Sequence, residues 1–399
     1  MPSLADTLKV KREHVPLMYM LYFAFLTSGM MSTMIGALLP FMKEEYQMSY
    51  VLSGAVISAH QVGNFFALLI AGYLPYLIGR KRSTITLSLG IVIGFLLITL
   101  TGNPLLLLFA FACTGIGRGT MSNITNVVMS EISENKGAGL NLLHASFAVG
   151  AFIAPFVVLF TTSIFGVYWR ISAWILVAFE LIVLLLLSRS TLSGKPKKRS
   201  VGSESHDFLK DGKFWLNTFI LFFYLCSEAS VIGWLVTYFI DTGRLSPSLA
   251  QTTSSALWIF ILIGRLSCAH LSNRMSKNVL LIILALLQLA FFTMMITVDQ
   301  TVLIYISLFG FGLAMSGTYP TTLSTMDSKF TSSTIATGTC IATATVGAIS
   351  MPIIIGAVAQ SVGMAGGLAT ITISILLMLL LILVKTLLEY RETKASVLR

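Results

Sequence analysis

Long apolar segments separated by short polar stretches recur along almost the whole chain. A membrane-spanning helix needs roughly 20 mostly apolar residues, and segments of this kind predict twelve helical spans. They lie near residues 15–39, 49–74, 83–101, 104–129, 140–162, 168–188, 213–240, 250–273, 279–298, 302–326, 333–359 and 366–388. The predicted fold class is therefore an all-α membrane protein with twelve transmembrane helices.

The second half of this pattern repeats the first at an offset of about 197 residues. Gly150 and Pro155 of the fifth span return as Gly347 and Pro352 of the eleventh. The repeated unit is itself a bundle of membrane helices, since both copies lie in long apolar segments. Two parallel membrane halves with a site between them are the architecture of an alternating-access carrier.

The repeat also predicts how the chain is divided. Residues 1–188 and 213–399 are expected to form two pseudo-symmetric six-helix bundles, and residues 189–212 a polar linker between them. The linker contains a basic cluster, Lys195–Arg199. Such a cluster beside a membrane helix favours the cytoplasmic face.

Composition indicates that most of the chain lies in lipid, and the distribution of charge predicts its orientation. The chain is 56% hydrophobic and 11% charged, too apolar for a soluble protein, so lipid must be the solvent for most of it. Most Lys and Arg fall in cytoplasmic segments if the N-terminus is cytoplasmic, and only Lys43, Arg170 and Arg244 fall outside. This bias predicts cytoplasmic termini. The net charge of +10 then reflects topology and lipid headgroups rather than nucleic acid.

The loop between the second and third spans carries a family signature. Gly72, Gly79 and the triplet Arg80-Lys-Arg82 resemble the loop motif of the major facilitator superfamily. That motif usually contains an Asp where this chain has Pro75. The resemblance implies a charge relay that latches the loop to neighbouring helices, and this chain lacks the acid that usually takes part in it.

Further segments resemble the fucose-permease-like sugar/proton branch of the same superfamily. They include Gly36–Pro40, Asn141–His144, Gly233-Trp234, Gly264-Arg265 and Ser316–Pro320. The resemblance implies that spans one, four, seven and ten line a central cavity. It is specific for the superfamily and does not identify a substrate.

Two charged residues lie near the middle of predicted spans, Glu228 in the seventh and Arg118 in the fourth. A charge inside a span is costly, so it marks a functional site unless it is paired. These spans cross the membrane in opposite directions, so we predict that the two residues share a depth. Glu228 is the candidate for proton coupling, and Arg118 its partner or a ligand of an anionic substrate. A permanent structural ion pair is the alternative.

Three further charges have a structural interpretation. Glu180 lies near the middle of span six, which the resemblance assigns to the outer scaffold. A protonated or hydrogen-bonded structural role is expected for it, with an alternative coupling site left open. Asp327 and Arg265 lie towards the cytoplasmic ends of their spans, where gating or interhelical salt bridges are expected.

Uncharged polar and aromatic residues within the spans suit a polyhydroxylated ligand. Amide side chains both donate and accept hydrogen bonds, as sugar hydroxyls require, and indole rings can pack against a sugar face. Hydrogen bonding between helices is the alternative. The candidate substrate-binding residues are Asn123, Asn126, Trp234, Gln61, Asn64, His60 and Trp258. Tyr238 is either a further platform or an interfacial anchor.

A last group of residues is expected to take part in conformational change. Proline removes a backbone hydrogen bond from a helix and permits a bend, so Pro155 and Pro352 are expected at helices that open and close. His144 matches the branch pattern at the start of span five, where gating or proton access is expected and helix packing is the alternative. The remaining gating candidates are Arg80, Arg82 and Arg265.

These observations predict a secondary active transporter in the plasma membrane (the bacterial cytoplasmic membrane). It is expected to be a proton symporter of a sugar or sugar-like metabolite, either neutral or anionic. Its expected partners are a small-molecule substrate, protons or sodium, and membrane lipids, and a monomer without cofactor or metal is expected. A proton antiporter that exports drugs or metabolites is the alternative. Enzyme motifs such as HExxH and Gly-x-Ser-x-Gly are absent from the sequence, and a transport-inactive sensor is a remote alternative.

Overall fold

A computed structural model describes residues 4–165, 168–192, 207–272, 274–331 and 333–397 of the chain. Within these residues, twelve helices are long and apolar enough to cross a membrane, which confirms the predicted fold class. They are α1 Val15–Glu45, α2 Tyr50–Ile78, α3 Arg80–Leu100, α4 Pro104–Ile132, α5 Lys136–Ile164, α6 Arg170–Arg189, α7 Gly212–Asp241, α8 Pro247–Leu271, α9 Lys277–Thr297, α10 Thr301–Ser324, α11 Thr334–Ala369 and α12 Ile371–Val397.

The helix boundaries follow local capping chemistry more closely than hydropathy. Asn103 accepts hydrogen bonds from the first amides of α4, next to a proline at the first helical position. Asn135 caps α5 in the same way, so this helix begins before its apolar segment does. Hydropathy averages over many residues and cannot detect a single capping side chain.

Two predicted boundaries need correction. The span expected to begin at 366 begins at Ile371, because helical structure from α11 continues to Ala369 across a break at Gly363. Gly363 has a φ of +84°, a left-handed conformation that glycine adopts readily. Asp327 does not lie within a span, because α10 ends at Ser324.

The described residues divide into two compact units. Unit 1 comprises Met1–Arg199 with Pro247–Ser255, and unit 2 comprises Ser200–Ser246 with Ala256–Arg399. The first two turns of α8 therefore belong with unit 1. The basic cluster Lys195–Arg199 of the predicted linker lies outside the described residues, and the chain is described again from a short 3₁₀ helix at Asp207–Lys210.

Close glycine contacts hold equivalent helix pairs together in each unit. In unit 1, a side chain at Gly150 of α5 would place its Cβ 1.9 Å from the Leu26 carbonyl oxygen of α1. In unit 2, a Cβ at Gly347 of α11 would lie 2.4 Å from the Phe222 carbonyl oxygen of α7. The repeat seen in the sequence thus corresponds to a repeated helix contact in which only glycine fits.

Candidate functional site

Arg118 lies in an aromatic environment in unit 1. Its guanidinium carbon is 5.8 Å from the centre of the Phe147 ring of α5. Phe25 of α1 contacts the same ring at 5.3 Å and the His144 ring, also at 5.3 Å and edge to face. The arginine cluster, as we name Arg118, Phe147, Phe25 and His144, therefore joins α1, α4 and α5. The Arg118 cation can be stabilised by the Phe147 ring, and its fork of donors suits a carboxylate or vicinal hydroxyls.

His60 and Asn64 lie at the contact between α2 and α4. His60 is 5% exposed, and its Nδ1 is 2.9 Å from the Thr114 hydroxyl oxygen. The Asn64 side-chain oxygen lies against Gly119, where a Cβ would be 2.7 Å away. For His60, the structure shows the interhelical hydrogen bond that was the alternative to substrate binding. Its role in substrate binding stays a prediction.

The other amide candidates of unit 1 are partly exposed. Asn126 donates a hydrogen bond of 2.7 Å to the Ser122 carbonyl of its own helix. Asn123 lines a small cleft whose other walls come from α2 and α3, among them Pro75 and Thr84. Gln61 is also partly exposed. A shared role of Asn123 and Asn126 in substrate binding stays a prediction.

Glu228 lies in unit 2 beside two tyrosines. The Tyr224 hydroxyl donates to Glu228 Oε1 at 2.8 Å, one turn away on α7. The Tyr224 ring contacts the Tyr319 ring of α10 at 6.0 Å, and the Arg265 charge on α8 also acts on the Tyr224 hydroxyl. The glutamate cluster, as we name these four residues, gives the carboxyl a polar environment in the middle of α7. Glu228 and Arg118 belong to different compact units, and their pairing stays a prediction.

The aromatic candidates of unit 2 are buried. Trp234 has no exposed surface, and its indole N–H donates to the Pro352 carbonyl of α11 at 3.3 Å. Trp258 is 5% exposed. Tyr238 is fully buried in the protein, and its hydroxyl donates to the Ile296 carbonyl at 3.2 Å. In this structure the three rings pack against protein, and stacking of Trp234 or Trp258 on a sugar stays a prediction.

The loop between α2 and α3 retains a charge pair despite Pro75. Arg80 donates to both carboxylate oxygens of Glu131, at 2.6 and 2.9 Å. Lys81 donates to the Ser190 carbonyl at the end of α6 at 3.0 Å, while Arg82 is exposed. Sequence analysis missed Glu131 because it lies 51 residues from Arg80. A bidentate arginine–carboxylate pair has the geometry of a specific latch.

Side chains from neighbouring helices form hydrogen bonds to the backbone of α5 around Pro155. Pro155 has no N–H, so the Ala151 carbonyl one turn earlier in α5 loses its helical donor. The Thr33 hydroxyl of α1 donates to that carbonyl at 3.0 Å. Ser255, in the part of α8 that belongs to unit 1, donates to the Phe152 carbonyl at 2.8 Å. Carbonyls near Pro155 are thus hydrogen-bonded by side chains from two other helices.

Lys385 is a buried cation that the sequence analysis did not single out. It lies in α12, is 2% exposed, and donates to Asn217 Oδ1 of α7 at 2.8 Å and to the Thr325 hydroxyl that follows α10. Its ammonium is 3.9 Å from Glu389. Its position near the end of an apolar segment resembles that of a flanking lysine. Its partners Asn217 and Thr325 lie far from it in the sequence, so no sequence pattern predicted the contact.

The geometry is that of a polytopic membrane protein with charged clusters inside its helical bundles. The family model of the Major Facilitator Superfamily matches residues 21–344. The chain belongs to the Major Facilitator Superfamily. The loop signature at Arg80–Arg82 therefore pointed to the right superfamily, and the family and the fold are those of transporters. The chain is a multi-pass membrane protein of this superfamily, with twelve candidate spans among its described residues.

Several known proteins resemble this superfamily member. Bypass of stop codon protein 6 of Saccharomyces cerevisiae is 21% identical over 291 residues, which cover 64% of this chain and 56% of that protein. The chain thus matches little more than half the length of this curated relative.

Solved structures of transporters share the fold. A bacterial homologue of the human lysosomal transporter Spinster superposes with a TM-score of 0.77 at 12% identity, covering 94% of this chain and 97% of the other. The nucleoside transporter NupG gives a TM-score of 0.78 at 13% identity over 93% and 99% of the two chains. A D-xylose–proton symporter gives 0.73 at 13% identity over 93% and 97%. At these identities the likeness concerns the fold alone.

Proposed function

We propose that this chain is a proton-coupled symporter of a sugar or sugar-like metabolite, working by alternating access in the plasma membrane with both termini cytoplasmic. The observation that carries the proposal is Glu228, a carboxyl group in the middle of α7 that accepts a hydrogen bond from Tyr224. A carboxyl group in the middle of a span marks an ion or proton pathway more often than a structural contact.

Glu228 is proposed to bind and release the coupling proton. The partial burial of Glu228 opposes the carboxylate form, while the Tyr224 hydroxyl favours it by donating a hydrogen bond. Small changes around the glutamate cluster can therefore shift the balance between the two forms. Arg265 of α8 places a positive charge near Tyr224, the hydrogen-bond donor to Glu228.

Arg118 is proposed to bind an acidic group of the substrate. The Arg118 residue is partly exposed and its guanidinium lies over the Phe147 ring, so the side chain is proposed to reach a ligand while the ring stabilises the cation. The matching position in the branch is usually small, which favours a sugar acid over a neutral sugar. The partly exposed Gln61, Asn123 and Asn126 are proposed to bind hydroxyl groups.

Uptake by proteoliposomes tests the proposal. Purified protein is reconstituted, and labelled neutral sugars and sugar acids are offered with an inward proton gradient, with a sodium gradient, and with neither. Accumulation of one solute that needs the proton gradient supports proton symport, and dependence on sodium would replace the proton in the proposal. Efflux of a preloaded compound against an inward proton gradient, without uptake of any solute, supports the export alternative instead.

Variants at Arg118 define the substrate class. Arg118→Lys keeps the charge but loses the bidentate fork, and Arg118→Gln loses both. If the substrate is a sugar acid, its uptake falls strongly in Arg118→Gln and less in Arg118→Lys. The control Arg12→Gln, at an exposed position before α1, transports normally. Unchanged uptake in Arg118→Gln would refute an anionic substrate bound there.

A further inference from the structure

Glu180 is a buried acid in the middle of α6 in unit 1. It is 2% exposed, and among the described residues its Oε1 has no hydrogen-bond partner. It lies ten residues from Arg170 and nine from Arg189, the charged ends of its helix. At about 1.5 Å per residue, each end is about 15 Å away. The carboxyl group is therefore placed near the centre of the membrane.

The helices packed against α6 bring no charge to this carboxyl group. α6 packs on α1, α3 and α5, and Phe23 of α1 contacts Phe179 at 5.9 Å. Along the middle of these helices the titratable residues are two tyrosines and one histidine. They are Tyr19, Tyr22 and His144, and His144 packs on Phe25. The charged residues of the three helices lie at their ends, except for His144 when it is protonated.

Thr27 of α1 is a polar neighbour of Glu180, within hydrogen-bonding reach of its carboxyl group. The single hydroxyl proton of Thr27 is directed to the Ala24 carbonyl at 2.8 Å, so the hydroxyl can offer Glu180 only a lone pair. A carboxylate has no proton to donate to that lone pair, whereas a carboxylic acid has one. An uncompensated carboxylate in an apolar interior would also be very costly. Both arguments select the neutral acid.

The repeat counterpart of α6 shows whether packing of this helix requires an acid. The offset that relates Gly150 to Gly347 takes Glu180 to Leu377 of α12, which is 37% exposed, and the buried residue beside it is Met378. The second copy of the scaffold helix thus forms with an apolar residue at that place. A carboxyl group is not required for a helix of this kind to pack, so packing alone does not explain Glu180.

We propose that Glu180 is a second proton-binding site of this protein, neutral in the present conformation, whose ionisation requires α1 to separate from α6 at Thr27. Movement of α1 would admit water to the carboxyl group and let the proton leave. The ligand is the proton, and the site is independent of Glu228 and of any substrate. If the transport proposal fails, the proposal of proton binding at Glu180 is not affected.

Carbodiimide labelling tests the protonation state without a substrate. Dicyclohexylcarbodiimide takes up the proton of a carboxylic acid, and the carboxylate then adds to its central carbon, giving an O-acylisourea that rearranges to a stable N-acylurea. In proteoliposomes at neutral pH, mass spectrometry is expected to find this adduct on Glu180, with labelling falling several-fold at alkaline pH. The adduct is expected to persist in Glu228→Gln and to be lost in Glu180→Gln.

An infrared measurement keeps the test valid if the reagent cannot reach α6. The carbonyl band of a protonated acid is expected in the wild-type spectrum and its loss in Glu180→Gln. Thr27→Val removes the hydroxyl lone pair and is expected to shift that band while leaving the Glu228→Gln difference unchanged. A Glu180 that gives no adduct and contributes only carboxylate bands at neutral pH would overturn the proposal.

Discussion

The two proline positions related by the repeat are supported in different ways. At Pro155, the carbonyl that loses its helical donor, that of Ala151, accepts a hydrogen bond from Thr33. The repeat offset takes Thr33 to Ser230, whose buried hydroxyl has no hydrogen-bond partner among the described residues. Near Pro352, the indole of Trp234 instead donates to the proline's own carbonyl.

This difference shows which properties the repeat preserves. It preserves the position of the proline and the glycine contact beside it, but not the side-chain hydrogen bonds around the interrupted backbone. An unmade hydrogen bond at a buried hydroxyl is an unfavourable state that a movement can relieve. We therefore expect the α7–α11 contact of unit 2 to rearrange more readily than the α1–α5 contact of unit 1.

The largest effect is expected from filling the glycine contacts. Gly150→Val would force its side chain against the Leu26 backbone, and overpacking of this kind costs about 3 kcal/mol of unfolding free energy. Gly347→Val should cost less, because its nearest backbone atom is 0.5 Å farther away (2.4 against 1.9 Å). Chemical denaturation in detergent measures both. Gly338→Val, with nothing within 4 Å, is the control, and equal losses in all three variants would refute the packing argument.

Removal of the Thr33 hydroxyl should have the next largest effect. Thr33→Val has nearly the same shape but leaves the Ala151 carbonyl buried without its donor, at a cost of about 1–2 kcal/mol. Ser230→Ala removes a hydroxyl that has no hydrogen bond to lose, so its unfolding free energy should stay unchanged or rise slightly. If Ser230→Ala destabilises the protein as much as Thr33→Val, then the two hydroxyl groups contribute equally to stability and the proposed difference between the units is wrong.

Trp234→Phe should have an intermediate effect. The ring is kept, but the hydrogen bond to the Pro352 carbonyl is lost, and a typical buried hydrogen bond is worth about 1 kcal/mol. The same unfolding measurement tests this value. Trp258→Phe serves as the buried indole control outside the α7–α11 contact. A larger loss in the control would mean that ring volume rather than the hydrogen bond decides the outcome.

The smallest effect concerns the repeat-related starts of α1 and α7. The helix α1 begins after His14 without a side-chain cap, whereas Asp211 caps α7 by accepting from the Lys213 amide at 2.9 Å. A hydrogen bond from the Lys329 ammonium, together with hydrogen bonds from the backbone amides of Lys213 and Phe214, lowers the pKa of Asp211. The charge of Asp211 thus stabilises the fold above its unfolded pKa of about 4, and the contribution is lost as pH falls through the folded value.

Asp211→Asn isolates this charge, because asparagine caps helices as well as aspartate does. Its unfolding free energy should be slightly below that of the wild type at neutral pH and should match it in acid. Denaturation across this pH range is the measurement. A difference that persists in acid would show that the cap geometry, rather than the charge, is responsible.

The sequence was sufficient for features that depend on many residues at once. Twelve spans, the repeat and the superfamily could be inferred because apolar length and the spacing of Gly150 and Pro155 are properties of whole segments. Features decided by one side chain were missed. Lys385 and the Arg80–Glu131 pair depend on contacts between residues far apart in the chain, and the break at Gly363 depends on a single backbone angle.

The candidate site could be predicted only in part, for a related reason. Hydropathy shows that Glu228 and Glu180 lie inside spans but not which neighbours they face. The structure supplies Tyr224 for the first and Thr27 for the second. A tryptophan in a span looks the same in sequence whether it faces a cavity or packs on a carbonyl, as Trp234 does.

The central claim is that Glu228 carries the coupling proton of an alternating-access transporter. Glu228→Gln, a fixed mimic of the protonated form, should be compared with the wild type and with the exposed Glu134→Gln control in proteoliposomes. We predict that the variant loses accumulation driven by a proton gradient but retains exchange of labelled for unlabelled substrate, while the control does both. Gradient-driven accumulation at the wild-type level in Glu228→Gln would contradict the account.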